Sequence, residues 1–362
     1  MNNQKPKIMH VVVNFSGGIF TFLQYLTRGL VDTYDMTVAY VARPDTPHNV
    51  RARFDQNVQL IRIGTYDPSH NPISDSTTRN ELRSLFKQEK PDLIHLHGFH
   101  AGRLGRRAFE GFDIPVLYTP HGYRYLAEDR NRLTRSVFRY SEQSLANTPN
   151  CMTVACSKGE LAETLGFTEN ATFINNGIDT AEIDRLVKDI PQEEHELRVF
   201  TTGLINGQKN PDLFNEIAKA MPETRFIWIG DGEYKWKLTA PNIEFTGWLE
   251  HDKAIQKMAE CDVFLLTSLW EGLPIALLEA MYQKKLCVVS NVVGSRDVIN
   301  NGENGYICDS AAAFVNAINH YKDEATKEIT ERARQDIIEH YSLEQMLKKY
   351  DNLYSGKIFG KN

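Results

Sequence analysis

Only five cysteines (Cys151, Cys156, Cys261, Cys287 and Cys308) occur in 362 residues, an odd number with no Cys-x-x-Cys spacing. That excludes a disulfide framework and a zinc ribbon. Cys261, Cys287 and Cys308 lie in or beside apolar runs and read as small core residues. No apolar run approaches the roughly 20 residues of a membrane span. Internal repeats and low-complexity tracts are missing too. The N-terminus is short and polar before an apolar stretch, which predicts no signal peptide. Together these absences predict a reducing, cytoplasmic setting in which any membrane contact is peripheral. A net charge of −6 and the lack of any nucleic-acid motif argue against nucleic acid as a partner.

Charge is unevenly spread. Residues 1–180 carry 20 Lys+Arg against 18 Asp+Glu, whereas the remainder carries 21 against 29. Residues 99–140 hold eight arginines and four acids. Such a stretch is either a solvated helical face or a surface that meets anionic lipid head groups or phosphates.

The apolar pattern is that of an α/β protein. Ile8–Asn14 reads as a strand, Phe15-Ser-Gly-Gly-Ile19 as a loop, and Phe20, Leu23, Leu26 and Leu30 follow at helical spacing. The double glycine, Gly17-Gly18, permits either a tight packed turn or close approach of backbone to a ligand. Strands are expected at 36–41, 91–98, 115–122 and 152–156, with helices at 79–90, 134–146 and 158–165. The stretch between 41 and 72 reads as loop-rich. His95, His97 and His121 fall at or near strand C-terminal ends, the ligand-facing edge of a parallel sheet. Their scatter lacks metal-ligand spacing. His95, inside its strand, reads as a core residue; His97 is open to either reading. His121, followed by glycine in what reads as an exposed turn, is a functional candidate.

Asn175-Asn-Gly177 and the polar run 189–196 mark a crossing, after which the strand–helix pattern restarts at Arg198. Two series in tandem predict two Rossmann-like domains facing across a cleft, 1–180 and 181–341. Within the second, the apolar strand Val263–Leu266 runs into Thr267-Ser-Leu-Trp-Glu-Gly-Leu-Pro-Ile-Ala-Leu-Leu-Glu-Ala-Met281. Pro274 is placed to open a helix. A helix N-terminus beyond a strand's carboxyl end is suited to phosphate. Glu271 precedes it, and Glu279 lies in an otherwise apolar turn where an unpartnered carboxylate is costly.

Glu271-x7-Glu279, with Gly272, Pro274 and Ala280, resembles the E-x7-E signature of family 4 retaining glycosyltransferases of the GT-B fold. Other segments fall in that family's order: Ser16-Gly-Gly18, Thr119-Pro-His121, Ile174–Asp179, Gly203 to Lys209-Asn210, Ile229-Gly-Asp-Gly232 and Asn301–Gly305. The resemblance implies that a C-terminal helix, 342–362, returns to the N-terminal domain. Ser342 and Gln345 have the capping-box spacing for its start. The resemblance further implies a nucleotide-sugar donor, UDP-linked in the first instance, held mainly by the second domain, and an acceptor held mainly by the first. Carried over by position, Glu279 would take the ribose hydroxyls and Glu271 would face the donor sugar. The Gly272, Leu273, Pro274 and Ile275 backbone would lie near the sugar or diphosphate, and Lys209 would pair with the diphosphate. Gly17 and Gly18 would let their loop close over the phosphates, and His121 would sit beside the reacting sugar.

Lysine, helix amides and loop amides can stabilise a departing nucleoside diphosphate without a metal, and no Asp-x-Asp motif occurs. Retention without an evident carboxylate nucleophile favours a front-face reaction in which the leaving phosphate accepts the acceptor's proton. One position departs from the pattern. Family members carry arginine after the glycine matching Gly203, and here the residue is Leu204. Arg296 could substitute, or the chain is an impaired sugar-nucleotide-binding relative. The expected function is transfer of a hexose or N-acetylhexosamine to a lipid-linked saccharide in bacterial surface-polysaccharide assembly. That places the enzyme at the inner membrane face, met through Arg-rich 102–139. A soluble-acceptor enzyme is the rival. Trp248 and Tyr123 are candidates for specificity, or else core aromatics.

Overall fold

A computed structural model describes residues 5–64, 72–127, 130–191 and 195–360. Residues 192–194 of the expected crossing lie outside that set. The chain forms two compact units: Met1–Tyr125 with Arg132–Asn176 and Gln345–Asn362, and Leu126–Asn131 with Gly177–Glu344.

The first unit runs β1 (Lys7–Val12), α1 (Gly17–Leu30), β2 (Asp35–Tyr40), β3 (Gln59–Arg62), α2 (Pro72–Glu89), β4 (Leu93–His97), α3 (Gly98–Ala108), β5 (Val116–Thr119), α4 (Arg132–Leu145), β6 (Cys151–Ala155), α5 (Lys158–Leu165) and β7 (Ala171–Phe173). The second continues with α6 (Thr180–Val187), β8 (Arg198–Thr202), α7 (Pro211–Ala220), β9 (Arg225–Ile229), β10 (Ile243–Phe245), α8 (His251–Ala259), β11 (Val263–Leu266), α9 (Ile275–Tyr282), β12 (Leu286–Ser290), β13 (Tyr306–Cys308), α10 (Ala311–Asn319) and α11 (Ala325–His340). A last helix, α12 (Leu343–Phe359), goes back to the first unit.

Both sheets are parallel, in the orders β3-β2-β1-β4-β5-β6-β7 and β10-β9-β8-β11-β12-β13. Strand order reverses between β1 and β4 in one and between β8 and β11 in the other. Such switch points are where doubly wound sheets bind ligands. Strands β4, β5, β11 and β12 are buried along their whole length, as expected for sheets covered on both faces. Each unit has its own core: Val11, Ile94, Leu96 and Leu104 in the first, and Phe214, Trp228, Val263 and Val288 in the second. All five cysteines are buried and free.

The loop-rich reading of 41–72 missed β3, and no helix was expected at α3. Gly102 and Gly105 weaken the helical signal there, yet both are required. A Cβ on Gly102 would come within 2.2 Å of the Tyr118 ring, and one on Gly105 within 2.4 Å of Leu96. Helix α12 is anchored where it leaves the second unit. The Ile178 N–H donates to the Tyr341 carbonyl (3.0 Å) and the Leu343 N–H to the Ile178 carbonyl (2.9 Å). Gly177 allows this, because a Cβ there would lie 2.5 Å from the Ser342 carbonyl oxygen.

Candidate active site

In the second unit the switch point brings together the loop after β8 and the loop after β11. Gly203 (φ +124°) and Gly230 (φ +149°) take conformations that side chains resist, and a Cβ on Gly230 would lie 2.1 Å from the Gly203 carbonyl oxygen. The Trp228 indole N–H donates to that same carbonyl (2.9 Å). The 203–210 turn thus sits tightly on the sheet. Asn210 (φ 51°) caps α7 by accepting from the Leu213 N–H, with Pro211 at the first turn. Lys209 is thereby aimed at Glu271, its Nζ 2.7 Å from Oε1. The Ser268 hydroxyl donates to the same oxygen at 2.7 Å. The strands' ends are tied together as well. The Thr267 hydroxyl donates to the Lys209 carbonyl (2.7 Å), and the Leu269 N–H to the Gln208 carbonyl (2.8 Å).

Helix α9 begins at Ile275, one residue later than expected, because Pro274 (ψ 113°) is the cap and its carbonyl accepts from Leu277 and Leu278. The Gly272–Leu273–Pro274–Ile275 segment therefore precedes the helix with Glu271 buried at its head. Gly294 (φ +86°) packs against it, since a Cβ there would lie 2.3 Å from the Gly272 carbonyl oxygen. Glu279, 4 % exposed, meets His251 of α8, with Nε2 to Oε1 at 2.7 Å. Burial alone would lower the His251 pKa, but the Glu279 charge and hydrogen bond raise it above the usual histidine value. Glu279 therefore already has a histidine partner that sequence patterning did not reveal. Leu204 is half-buried and Arg296 exposed. Trp248 is 47 % exposed and so is not a core aromatic.

In the first unit, β1 and β4 pair with His10 opposite His95, so His10, His95 and His97 share one face of the sheet. The His10 Nδ1 lies 3.0 Å from His97 Nε2, and His97 Nδ1 lies 3.1 Å from His121 Nε2. His95 is separately satisfied by Thr119 (2.9 Å) and the Tyr354 hydroxyl (2.8 Å). Tyr350 and Tyr354 of α12 and Phe22 of α1 surround the rings. Burial pulls His10 and His121 down to about 3, and His95 and His97 well below the ordinary value. His95 is thus the core residue expected, and His97 is buried with both nitrogens engaged. The ring nitrogens of His10, His95 and His97 lie within 4.8 Å of one another, the spacing of a possible metal group. Of their six nitrogens only His10 Nε2 lacks a hydrogen-bond partner.

The turn at His121 is not the exposed one expected. His121 (φ 54°) is half-buried, Gly122 is buried, and the Gly122 N–H donates to Glu160 Oε1 at 2.6 Å. The other Glu160 oxygen accepts from the Cys156 N–H (2.7 Å), so α5 clamps this turn. The Ser157-x-x-Glu160 spacing, with Ser157 capping α5, was the available signal. Gly17 (φ +53°) opens α1, and a Cβ on Gly17 or Gly18 would meet nothing within 4 Å. Conformation, not packing, accounts for Gly17. Tyr123 is a core aromatic, 2 % exposed and hydrogen-bonded to Thr164.

The arginine-rich stretch divides. Arg106 is in the core, 2.7 Å from Glu142 and 4.2 Å from the Tyr118 ring centroid. Arg103 pairs with Asp75 (2.6 Å), and Arg124 meets His100 (2.8 Å). Arg107, Arg130, Arg132 and Arg139 are exposed. Beside them on α4, Leu133, Val137 and Tyr140 are 76 %, 58 % and 72 % exposed. No helix among the described residues is long and apolar enough to cross a membrane.

Paired parallel α/β units of this topology are those of GT-B glycosyltransferases. Sucrose-phosphate synthase from Thermosynechococcus elongatus superposes with a TM-score of 0.82 at 16% identity, over 99% of this chain and 100% of that one. HepE of Anabaena, solved with UDP and glucose, gives 0.77 at 19% identity over 97% and 99%. A family model described as Glycosyltransferase Family 4 matches residues 16–182, and one described as Glycosyl transferases group 1 matches 196–323. Together the two matches support a family 4 glycosyltransferase. Among relatives, the UDP-Gal:alpha-D-GlcNAc-diphosphoundecaprenol alpha-1,3-galactosyltransferase of Escherichia coli is 28% identical over 85% of this chain and 86% of its own. The N-acetyl-alpha-D-glucosaminyl L-malate synthase of Bacillus anthracis is 23% identical over 81% and 82%. The protein is a glycosyltransferase that acts with a nucleotide sugar.

Proposed function

We propose that the protein is a retaining hexosyltransferase that moves a hexose or N-acetylhexosamine from a UDP sugar to a lipid-linked saccharide. The observation that carries this reading is the buried Glu271, hydrogen-bonded by Lys209 and Ser268 at the entry to α9. A carboxylate held at a helix entry beside a lysine suits a ligand with sugar hydroxyls at one end and a diphosphate at the other. Lys209 meets the diphosphate by sharing or leaving Glu271, which then faces the sugar. Glu279 takes the ribose hydroxyls while His251 holds its other side. The Gly272–Ile275 backbone, with Gly17 and Gly18, supplies amides to the phosphates, and His121 meets the transferred sugar. Negative charge on the leaving diphosphate is balanced by Lys209 and amides with no metal required. The departing phosphate oxygen takes the acceptor's proton on the same face.

The lipid-linked acceptor is favoured by the relative whose name carries a diphosphoundecaprenol substrate. It is favoured also by the exposed Leu133, Val137 and Tyr140 of α4, which fall at helical spacing beside Arg132 and Arg139. An apolar stripe rimmed by arginine suits the inner face of an anionic membrane. A thermal-shift screen of nucleotide sugars followed by transfer to a diphosphate-linked lipid acceptor tests the activity. Transfer only to soluble sugars would sink the acceptor assignment. Leu204 favours a second reading, an impaired sugar-nucleotide binder. Restoration of strong turnover by Leu204→Arg, from a wild type that only binds, would establish it.

A further inference from the structure

The relay His10–His97–His121 ends in two unlike places, and the difference fixes where its protons lie. Burial keeps all three imidazoles neutral, so each carries one proton on one of its two nitrogens. One proton must occupy each of the two N···N contacts, because two bare lone pairs or two N–H groups facing at 3.0 and 3.1 Å would repel. The third proton then lies at one end, on His10 Nε2 or on His121 Nδ1. His10 Nε2 is buried with no partner, and an orphaned N–H there loses its hydration with no return. An orphaned lone pair is the lesser loss. His121 Nδ1 makes no hydrogen bond within the protein among the described residues, and its ring is half-buried at the end of the relay.

We infer that His10 and His97 are positioning residues that lock His121 in one tautomer, with Nε2 accepting from His97 and Nδ1–H presented as a hydrogen-bond donor. The nitrogen that one partner engages decides what the other can do. So held, His121 can donate to a substrate oxygen and cannot serve as a base through Nδ1. Glu160 and the left-handed backbone at His121 hold the turn from the other side. The consequence for transfer rests on the reading that His121 meets the sugar; the tautomer itself does not.

The test is a long-range proton–nitrogen spectrum of the full chain, ligand-free, with histidines labelled on the ring nitrogens, and with His121 assigned by its loss in His121→Gln. The relay requires the His121 proton on Nδ1 and a bare lone pair on Nε2, with His97 and His10 protonated on Nδ1. A proton on His121 Nε2 overturns it. In His97→Phe the lock is removed, so His121 should show a mixture of tautomers. Turnover should fall about tenfold, the scale on which outer partners of a working histidine act, while the Kd for UDP holds. A His121 still locked on Nδ1–H in that variant, with unchanged turnover, also overturns the positioning role. Should His97→Phe not fold, the wild-type spectrum decides alone. An unaffected His121→Ala enzyme beside a wild-type Nδ1–H signal supports the relay and removes only the sugar-facing reading.

Discussion

The two switch points solve the same problem in opposite ways. In the first unit, polar groups at the strand ends are buried neutral and bonded to one another, with His10 Nε2 left over. His10 bonds to His97 and His97 to His121, while His95 bonds to Thr119 and Tyr354, under a lid of α12 aromatics. In the second unit the groups form acid–base pairs: Lys209 with Glu271, and His251 with Glu279. Neutral relays hold geometry and titrate badly. The carboxylates of these pairs are buried, so any group that opens them must replace the lost partner. On the proposed function, the contrast separates residues committed to shape from residues kept for exchange.

Acid should expose the contrast most strongly. A histidine held below its usual value contributes stability that is present above pH 6.5 and lost as pH falls towards its folded value, about 3 for His10 and His121. Each buried histidine should therefore remove about 1 kcal/mol for every unit below 6.5. The four together amount to several kcal/mol by pH 5. Hydrogen exchange followed by mass spectrometry should show first-unit peptides opening before those of the second. Equal protection in the two units at pH 5 would break the contrast.

Next in size is Arg106→Leu. It leaves the Glu142 carboxylate in the core with only the Tyr118 hydroxyl donating to it, and removal of one member of a buried ion pair costs about 3–5 kcal/mol. Denaturation by urea should show it, with UDP affinity at the second unit retained. Lys209→Met should do the reverse. Turnover should drop about 100- to 1000-fold, as when one oxyanion donor is lost, with the melting temperature within a few degrees of wild type. A Lys209→Met protein that unfolds but still turns over would make this pair structural.

Legibility in the sequence followed the same division. Glu271, Glu279, Lys209, Gly17 and Gly18 stood out as candidates because charged groups recur at fixed spacing around glycines and helix starts. The strand Val263–Leu266 matched to the residue, since a short apolar run bounded by polar residues leaves little freedom. His10 escaped notice because one polar residue inside Ile8–Val13 carries no periodic signal, and its partners come from β4 and the turn after β5. Ser268 and His251 were missed for a like reason: a local hydroxyl and a histidine 28 positions from its carboxylate acquire meaning only when β11 and α8 are placed. The arginine cluster read as a surface because sequence cannot show Glu142 turning inward to meet Arg106. Helix α3 was hidden by the glycines that let it pack.

The smallest effect is the most specific. His251 is held above its ordinary value once the Glu279 charge and hydrogen bond outweigh burial. Its contribution is therefore fully present below pH 6.5 and lost as pH rises through the raised folded value, the opposite sign from the first unit's relay. His251→Gln keeps a donor near Glu279 but cannot titrate. It should lose about 1 kcal/mol of stability at pH 6 and remove the decline on the alkaline side. If Glu279 also takes the ribose hydroxyls, the Kd for UDP in this variant should weaken by a few-fold and lose its dependence on pH between 6 and 9. Denaturation curves and UDP titrations across that range give both readouts. Identical alkaline slopes for wild type and variant would mean that His251 is neutral in the pair, and the second unit would then hold Glu279 as the first holds its histidines.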